Sequence, residues 1–205
     1  MSRFFSWKYE SLIPYVPGEQ PRDRQFIKLN TNESPFPPSQ KAIEAAKRAA
    51  ERLQLYSDPE ARDLRAKLAS VYGVKPDQII VTNGSDEVLN FAFMAFCDGD
   101  CPAVFPDVTY GFYPVFAKVN GVPYREIPLR TDFTVDLPAL CSAKGTVFLA
   151  NPNAPTGIAL PRKAVEELLR SHPDEMVIVD EAYVDFGAES CLPNAMGRDE
   201  SLPVT

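Results

Sequence analysis

The sequence predicts an α/β fold, with a mainly parallel sheet and helices on its faces. Short apolar runs recur along the chain, and segments of helical character separate several of them. Strands that alternate with helices indicate βαβ units, whose strands run parallel. The 20 prolines cluster at the boundaries between these segments, as expected of a fold with many sharp turns.

Five helical segments are predicted. Residues 38–54 predict a surface helix capped by Ser39, because alanine and charged residues dominate the segment. Residues 60–72 place their apolar side chains on one helical face, and Gly73 ends that helix. Residues 88–98 are apolar on nearly all sides, which predicts a buried helix. The two remaining helical segments are 110–119 and 161–170.

Five apolar runs are the candidate strands: 79–84, 103–106, 122–129, 146–150 and 176–182. Ligands of such sheets bind at the carboxyl ends of the strands, so the polar segments that follow these runs are the candidate site. Residues 1–40 are expected to form an irregular arm, and residues 41–205 the domain that contains the predicted sheet.

Composition excludes several classes of function. The chain is 45% hydrophobic and 24% charged, as in ordinary soluble globular proteins. The net charge of −7 argues against a nucleic-acid partner, since phosphate binding favours a basic surface. No apolar run of about 18 residues predicts a membrane span, and the first residues do not resemble a secretory signal. A cytoplasmic protein is therefore expected.

Cysteine and histidine usage argues against a metal site. The four cysteines are sparse and lie in apolar or loop contexts, so reduced thiols are expected. Cys97 and Cys101 suggest a metal pair only weakly, because structural zinc usually takes four ligands. His172 is the only histidine, which disfavours a Ser-His-Asp hydrolase, and it is expected to be solvated near a helix C-terminus.

Two polar segments lie at the ends of the first two candidate strands. Residues 83–87 (NGSDE) lie between a strand and a helix, where free N–H groups can bind an anion; a plain corner is the alternative. Residues 107–113 (DVTYGFY) follow the second run, and an aromatic side chain there can stack on a planar cofactor. For Phe112 and Tyr113, core packing is the preferred interpretation.

Two further polar segments follow later runs. Residues 151–157 (NPNAPTG) form a rigid loop whose asparagines can hydrogen-bond a ligand, although a simple turn would look the same. Asp180 follows the apolar residues 176–179 of the run 176–182, and a buried carboxylate is costly unless it is paired, for example with a cationic ring nitrogen. An acid that faces solvent is the alternative.

The order and spacing of these four segments resemble the fold-type I pyridoxal-phosphate aminotransferases. Residues 29–38 (LNTNESPFPP), 55–65 (LYSDPEARDLR) and 74–89 (VKPDQIIVTNGSDEVL) are similar to the histidinol-phosphate aminotransferase branch in particular. The resemblance covers roughly residues 10–190. It implies a three-layer α/β/α large domain, pyridoxal phosphate as cofactor, and amino transfer between glutamate and a phosphorylated substrate, imidazole-acetol phosphate, in histidine biosynthesis.

The resemblance also assigns roles to residues around the cofactor. The N–H groups of Ser85 and Asp86, after Gly84, would hold the cofactor phosphate. Tyr110 would stack on the pyridine ring, and Asp180 would pair with its protonated nitrogen.

Four tyrosine and asparagine residues receive further roles from the resemblance. Tyr183 would hydrogen-bond the phenolic oxygen of the cofactor. Tyr56 would reach the cofactor phosphate of a neighbouring subunit, which implies a homodimer. Tyr15 and Asn32 would lie beside the substrate.

Two departures from the family pattern stand out. The family usually has an asparagine at the position of Ala154, where it contacts the phenolic oxygen, and Asn153 is the candidate replacement. The Schiff-base lysine of the family is expected beyond Thr205, so this chain is expected to be an N-terminal portion that is inactive alone. A threonine-phosphate decarboxylase fragment and a non-catalytic module for cofactor binding or dimerisation are the alternatives.

Overall fold

The computed structural model describes Phe4, Ser6, Tyr9, Ile27 and residues 29–193. The chain divides into two compact units, Ile13–Ile80 and Val81–Thr205 with Met1–Leu12. The predicted boundary at residue 40, between the arm and the large domain, does not coincide with this division and stays a prediction. In the described ranges, no helix is both long and apolar enough to cross a membrane.

The unit Ile13–Ile80 is helical over much of its described part. Helix α1 spans Gln40–Ala50, and the Ser39 hydroxyl caps it by accepting the N–H of Ala42 at 3.3 Å. None of the residues of α1 is buried, so the predicted surface helix and its cap are confirmed.

Helix α2 spans Arg62–Tyr72 and ends at Gly73, as predicted. Gly73 has φ +70°, a left-handed conformation that glycine adopts without steric cost. A short 3-10 helix, Pro76–Gln78, follows. The Arg65 guanidinium donates two hydrogen bonds to the Pro76 carbonyl at 2.6 and 2.9 Å, which fastens the two helices together.

The other unit is built on a four-stranded parallel sheet with the order β2-β1-β3-β4. This confirms the predicted parallel sheet. All four carboxyl ends lie at the same edge because all four strands run in one direction. The strands are β1, Ala103–Pro106; β2, Tyr124–Ile127; β3, Thr146–Ala150; and β4, Val177–Asp180.

Helices cover both faces of the sheet, which confirms the three-layer architecture. Alternate strand residues face opposite sides: Phe105 and Phe148 pack in one buried cluster, and Val104 and Val147 in the other. Burial of one such side chain contributes about 1.5–3 kcal/mol. The first cluster includes residues of α3 and α4, and the second includes residues of α5 and α6. The helices are α3, Ser85–Phe96; α4, Tyr113–Asn120; α5, Leu137–Cys141; and α6, Arg162–Ser171.

The apolar run 79–84 forms no strand, so that prediction is wrong. The described strands pair only with one another, and Ile80 is 80% exposed. A strand is stable when a neighbour pairs with its backbone N–H and C=O groups, and this run has none among the described strands.

The prediction that residues 88–98 are buried on nearly all sides is also wrong. Leu89 and Phe93 of α3 are buried, whereas Phe91 is 48% and Met94 62% exposed. A helix that lies on one face of a sheet buries only the stripe that contacts the sheet.

His172 is buried, contrary to the expectation of a solvated side chain. It follows the last residue of α6, and its Nε2 lies 3.1 Å from the Ala143 carbonyl oxygen. Its Nδ1 lies 2.9 Å from the Ser171 hydroxyl oxygen. The imidazole therefore links α6 to the turn after α5. Its position at a helix end could not reveal this, because Ala143 is distant in the sequence.

We expect Gly145→Ala to destabilise this sheet. Gly145 has φ +123°, and a Cβ atom there would lie 2.1 Å from the Pro102 carbonyl oxygen. That oxygen accepts the N–H of Thr146 at 2.9 Å, so the clash cannot be relieved without breaking this contact. The free energy of unfolding in denaturant should fall by at least about 2 kcal/mol.

Gly99→Ala is the matched control, since a Cβ atom there meets nothing within 4 Å. It should change the free energy of unfolding by no more than about 1 kcal/mol. Equal losses for the two variants would show that the close approach at Gly145 is not a constraint.

Candidate functional site

The polar segments predicted to form a site lie in the unit that carries the sheet. Two of them follow β1 and β3 directly, the third begins with Asp180 at the end of β4, and the fourth includes the start of α3. Hydrogen bonds join them into one cluster, and the bonded residues are separated by up to 67 residues in the sequence.

The N-terminus of α3 is open to an anion. Gly84 occupies the N-cap position with φ +82°, and no side chain caps the helix. Ser85 and Asp86 are both exposed. The first N–H groups of a helix have no partner within the helix, and together they attract negative charge. The Glu87 carboxylate accepts the Asn83 N–H at 2.7 Å, which fixes the turn before the helix.

Tyr110 connects this helix end to the segment after β1. Its hydroxyl donates to Asp86 Oδ1 at 2.6 Å. Its ring lies nearly parallel to that of Phe112, at 5.7 Å, and edge-on to that of Tyr113, at 5.6 Å and 80°. The half-buried Tyr110 ring is therefore held from two sides.

Asn153 joins the segment after β3 to the segment after β1. Its side chain is buried, and Oδ1 accepts the Thr109 hydroxyl at 2.8 Å. Nδ2 donates to the Val108 carbonyl at 2.9 Å and to the Thr156 hydroxyl oxygen at 3.2 Å. An amide has two N–H groups, and both are used here. If Asn153 replaces the asparagine that the family has at the position of Ala154, its amide can donate to a ligand only when one of these two bonds breaks.

Asp180 is the last residue of β4, and each of its carboxylate oxygens accepts one hydrogen bond. Oδ1 accepts the N–H of Ala182 at 3.1 Å, and Oδ2 accepts the hydroxyl of Tyr113 at 3.0 Å. Burial raises the pKa of Tyr113 well above its usual value, and the Asp180 charge adds to this effect, so the hydroxyl stays protonated and donates.

The sequence therefore predicted the buried ring of Tyr113 but not the contact of its hydroxyl. Its ring is wholly buried in the core, as predicted. Its hydroxyl bond to Asp180 was missed, although a tyrosine in place of phenylalanine at a buried position signals a polar partner.

The segment after β4 is fastened through Glu181, a second residue that the sequence did not single out. The Glu181 carboxylate accepts the Ser190 hydroxyl at 2.7 Å and also the backbone N–H of Cys191. Tyr183 lies in the sequence between Glu181 and Ser190. It is half-buried, and its ring centre is 6.4 Å from that of Phe186.

The remaining predicted residues lie elsewhere. Tyr56 and Asn32 belong to the unit Ile13–Ile80, and both are exposed. Tyr15 lies outside the described residues. The roles expected of these three residues stay predictions.

The cluster offers three kinds of contact: helix N–H groups at Ser85 and Asp86, an aromatic ring at Tyr110, and a carboxylate at Asp180. This set suits a planar ligand that carries an anionic group at one end and a cationic group on its ring. Across the described residues, no group of three or more His, Cys, Asp or Glu side chains is placed to hold a metal ion.

Comparison with known proteins identifies relatives of the chain. Residues 24–204 match the family described as aminotransferase class I and II. Histidinol-phosphate aminotransferase 1 of Bradyrhizobium diazoefficiens is 50% identical over 204 residues, which is 100% of this chain and 58% of that protein. The chain thus spans little more than half the length of such curated relatives.

Solved structures show the same fold. Histidinol-phosphate aminotransferase from Sinorhizobium meliloti, in complex with pyridoxal-5'-phosphate, matches with a TM-score of 0.76 and 27% identity, over 83% of this chain and 48% of that one. L-threonine-O-3-phosphate decarboxylase from Porphyromonas gingivalis matches with a TM-score of 0.66 over 78% of this chain and 51% of that one. Its identity is only 24%, so this second likeness shows the fold alone.

We expect Asn153→Ala to loosen the junction between the segments after β1 and β3. The Thr109 hydroxyl and the Val108 carbonyl would lose their buried partner. The free energy of unfolding should fall by about 2–4 kcal/mol, measured by denaturant titration.

Asn83→Ala is the control for this variant, because Asn83 is an exposed asparagine of the same cluster. Its effect should be within about 0.5 kcal/mol. If the two alanine variants were equally stable, the bonds of Asn153 would not be holding the junction.

Proposed function

Because the chain belongs to the class I and II aminotransferases, we propose that it forms the cofactor-binding part of an enzyme that transfers an amino group between glutamate and imidazole-acetol phosphate. The 50% identity to a histidinol-phosphate aminotransferase over the whole chain supports this choice of substrate. The reaction is proposed for the full-length enzyme, since this chain spans 58% of that relative.

One series of side-chain contacts, from Asp86 to Asp180, carries the proposal. Asp86 accepts the Tyr110 hydroxyl, the Tyr110 ring lies edge-on to Tyr113, and the Tyr113 hydroxyl donates to Asp180. This series of contacts brings the start of α3 and the ends of β1 and β4 together at one edge of the sheet. The three kinds of contact that the cluster offers are those that pyridoxal phosphate requires.

The residues present fit pyridoxal phosphate. The N–H groups of Ser85 and Asp86, after Gly84, would bind its phosphate, since no side chain caps this helix end. The Tyr110 ring would stack on the pyridine ring. The Asp180 carboxylate would accept a hydrogen bond from the protonated pyridine nitrogen, which gives this strand-end acid a cationic partner.

Each of these residues has a defined task in the proposed reaction. Bound pyridoxal phosphate supplies an electron sink for negative charge at the α-carbon of the substrate. Asp180 would keep the ring nitrogen protonated, and Tyr183 would donate a hydrogen bond to the phenolic oxygen. Asn153 would act through Thr109 and Val108, by holding the segment that carries Tyr110.

Two acidic side chains near the phosphate position are already engaged by protein donors. Asp86 accepts the Tyr110 hydroxyl and Glu87 accepts the Asn83 N–H. These bonds offset part of the repulsion that the two carboxylates would exert on a phosphate.

We also propose that the enzyme is a cytoplasmic homodimer. The exposed ring of Tyr56 would then reach the cofactor phosphate of the neighbouring subunit. Tyr15 and Asn32 would lie beside the phosphorylated substrate.

The expected activity is formation of glutamate from 2-oxoglutarate with histidinol phosphate as amino donor. Asp180→Asn should lower kcat by about two orders of magnitude in the full-length enzyme, because the ring nitrogen would lose its charged partner. The variant should keep its fold, since the amide oxygen can still accept one of the two hydrogen bonds that Asp180 accepts, from Tyr113 or from Ala182.

Asp185→Asn removes the same charge from an exposed residue two positions beyond Tyr183 and serves as the control. It should change kcat by less than about twofold. Near-normal turnover by Asp180→Asn would overturn the role of Asp180. A wild-type enzyme that does not use histidinol phosphate would overturn the substrate assignment.

A further inference from the structure

The Tyr113 side chain spans the core between the two residues assigned to the cofactor ring. It begins α4 and is 0% exposed. Its ring packs against Phe105 and Phe148, each at 5.7 Å, and lies edge-on to Tyr110 at 5.6 Å. Its hydroxyl reaches Asp180 Oδ2 at 3.0 Å.

Packing alone does not account for a tyrosine at this position. Phenylalanine would fill nearly the same volume without bringing a hydroxyl into the core, where an unpaired polar group is costly. The hydroxyl is satisfied by one acceptor, the Asp180 carboxylate. A charge-assisted hydrogen bond of this kind is stronger than a neutral one and is directional.

The bond leaves Asp180 able to serve a ligand. Oδ2 accepts from Tyr113 and Oδ1 from Ala182, so both oxygens are oriented. A carboxylate has about four lone-pair sites, and two protein donors leave some for a further donor such as a ring N–H.

We propose that Tyr113 is a positioning residue, which holds the Asp180 carboxylate and the Tyr110 ring in the places that the pyridine ring of the cofactor requires. This inference rests on the proposed function. It assigns no direct contact with the cofactor to Tyr113, whose influence passes through Asp180 by a hydrogen bond and through Tyr110 by an edge-on ring contact.

Affinity for pyridoxal phosphate, measured by fluorescence quenching of the full-length protein, tests the proposal. Tyr113→Phe keeps the ring and removes only the hydroxyl. Its dissociation constant should rise about five- to tenfold, because the carboxylate loses a fixed orientation. Tyr124→Phe is the matched control: Tyr124 stacks on Phe105 in the same cluster, and its dissociation constant should change by less than about twofold.

Asp180→Asn and the double variant Tyr113→Phe/Asp180→Asn test whether the Tyr113 hydroxyl acts through the charge of Asp180. If Tyr113 acts through the Asp180 charge, its substitution should change the affinity by less than about twofold once that charge is absent. Denaturant unfolding of all four variants without cofactor confirms that each is folded, and a non-additive stability change for Tyr113 and Asp180 would report their bond directly.

The outcomes are distinguishable. If Asp180→Asn weakens cofactor binding and Tyr113→Phe does not, the positioning role is overturned and the proposed function stands. An equal loss from Tyr113→Phe in both backgrounds would show that the hydroxyl does not act through the Asp180 charge, which overturns the positioning role. If Asp180→Asn itself leaves the affinity unchanged, the assigned role of Asp180 fails, and the inference fails with it.

Discussion

Parallel pairing of the four strands is the constraint on which the candidate site depends. Because every strand runs in the same direction, the segments after β1, β3 and β4 begin at one edge of the sheet. The register aligns Ala150 with Asp180, and the Asn151 N–H donates to the Asp180 carbonyl at 2.9 Å. A single antiparallel strand would carry its polar segment to the opposite edge, and the cluster could not form.

The sheet could largely be predicted because β1, β3 and β4 are mainly apolar and each of the four strands has proline, glycine or acidic residues beside it. A strand covered on both faces is apolar throughout, and β1 and β3 have this character, with every residue buried. The run 79–84 has the same composition but no paired neighbour among the described strands. Composition reports how apolar a segment is, whereas strand pairing depends on what lies beside it. The same reasoning explains α3, which has more apolar residues than the narrow face that it buries can hold.

The positions of the site segments could also be predicted, but the bonds between them could not. Tyr110 and Asp180 lie in polar segments at the ends of predicted strands, and the family resemblance assigns their roles. Asn153 is the predicted replacement for the asparagine that the family has at the position of Ala154, and its amide bonds to Thr109 and Val108, more than 40 residues earlier. Partners so distant in the sequence leave no local pattern, so the structure is needed to show which polar groups remain for a ligand.

The central claim is that Asp180 accepts a hydrogen bond from the protonated pyridine nitrogen of pyridoxal phosphate at the carboxyl edge of the sheet. Nitrogen NMR of cofactor labelled with 15N at the ring, bound to the full-length protein, measures this directly. A protonated ring nitrogen at neutral pH in the wild type, lost in Asp180→Asn, is the predicted result. An unprotonated nitrogen in the wild type, or a signal unchanged by the substitution, would contradict the account.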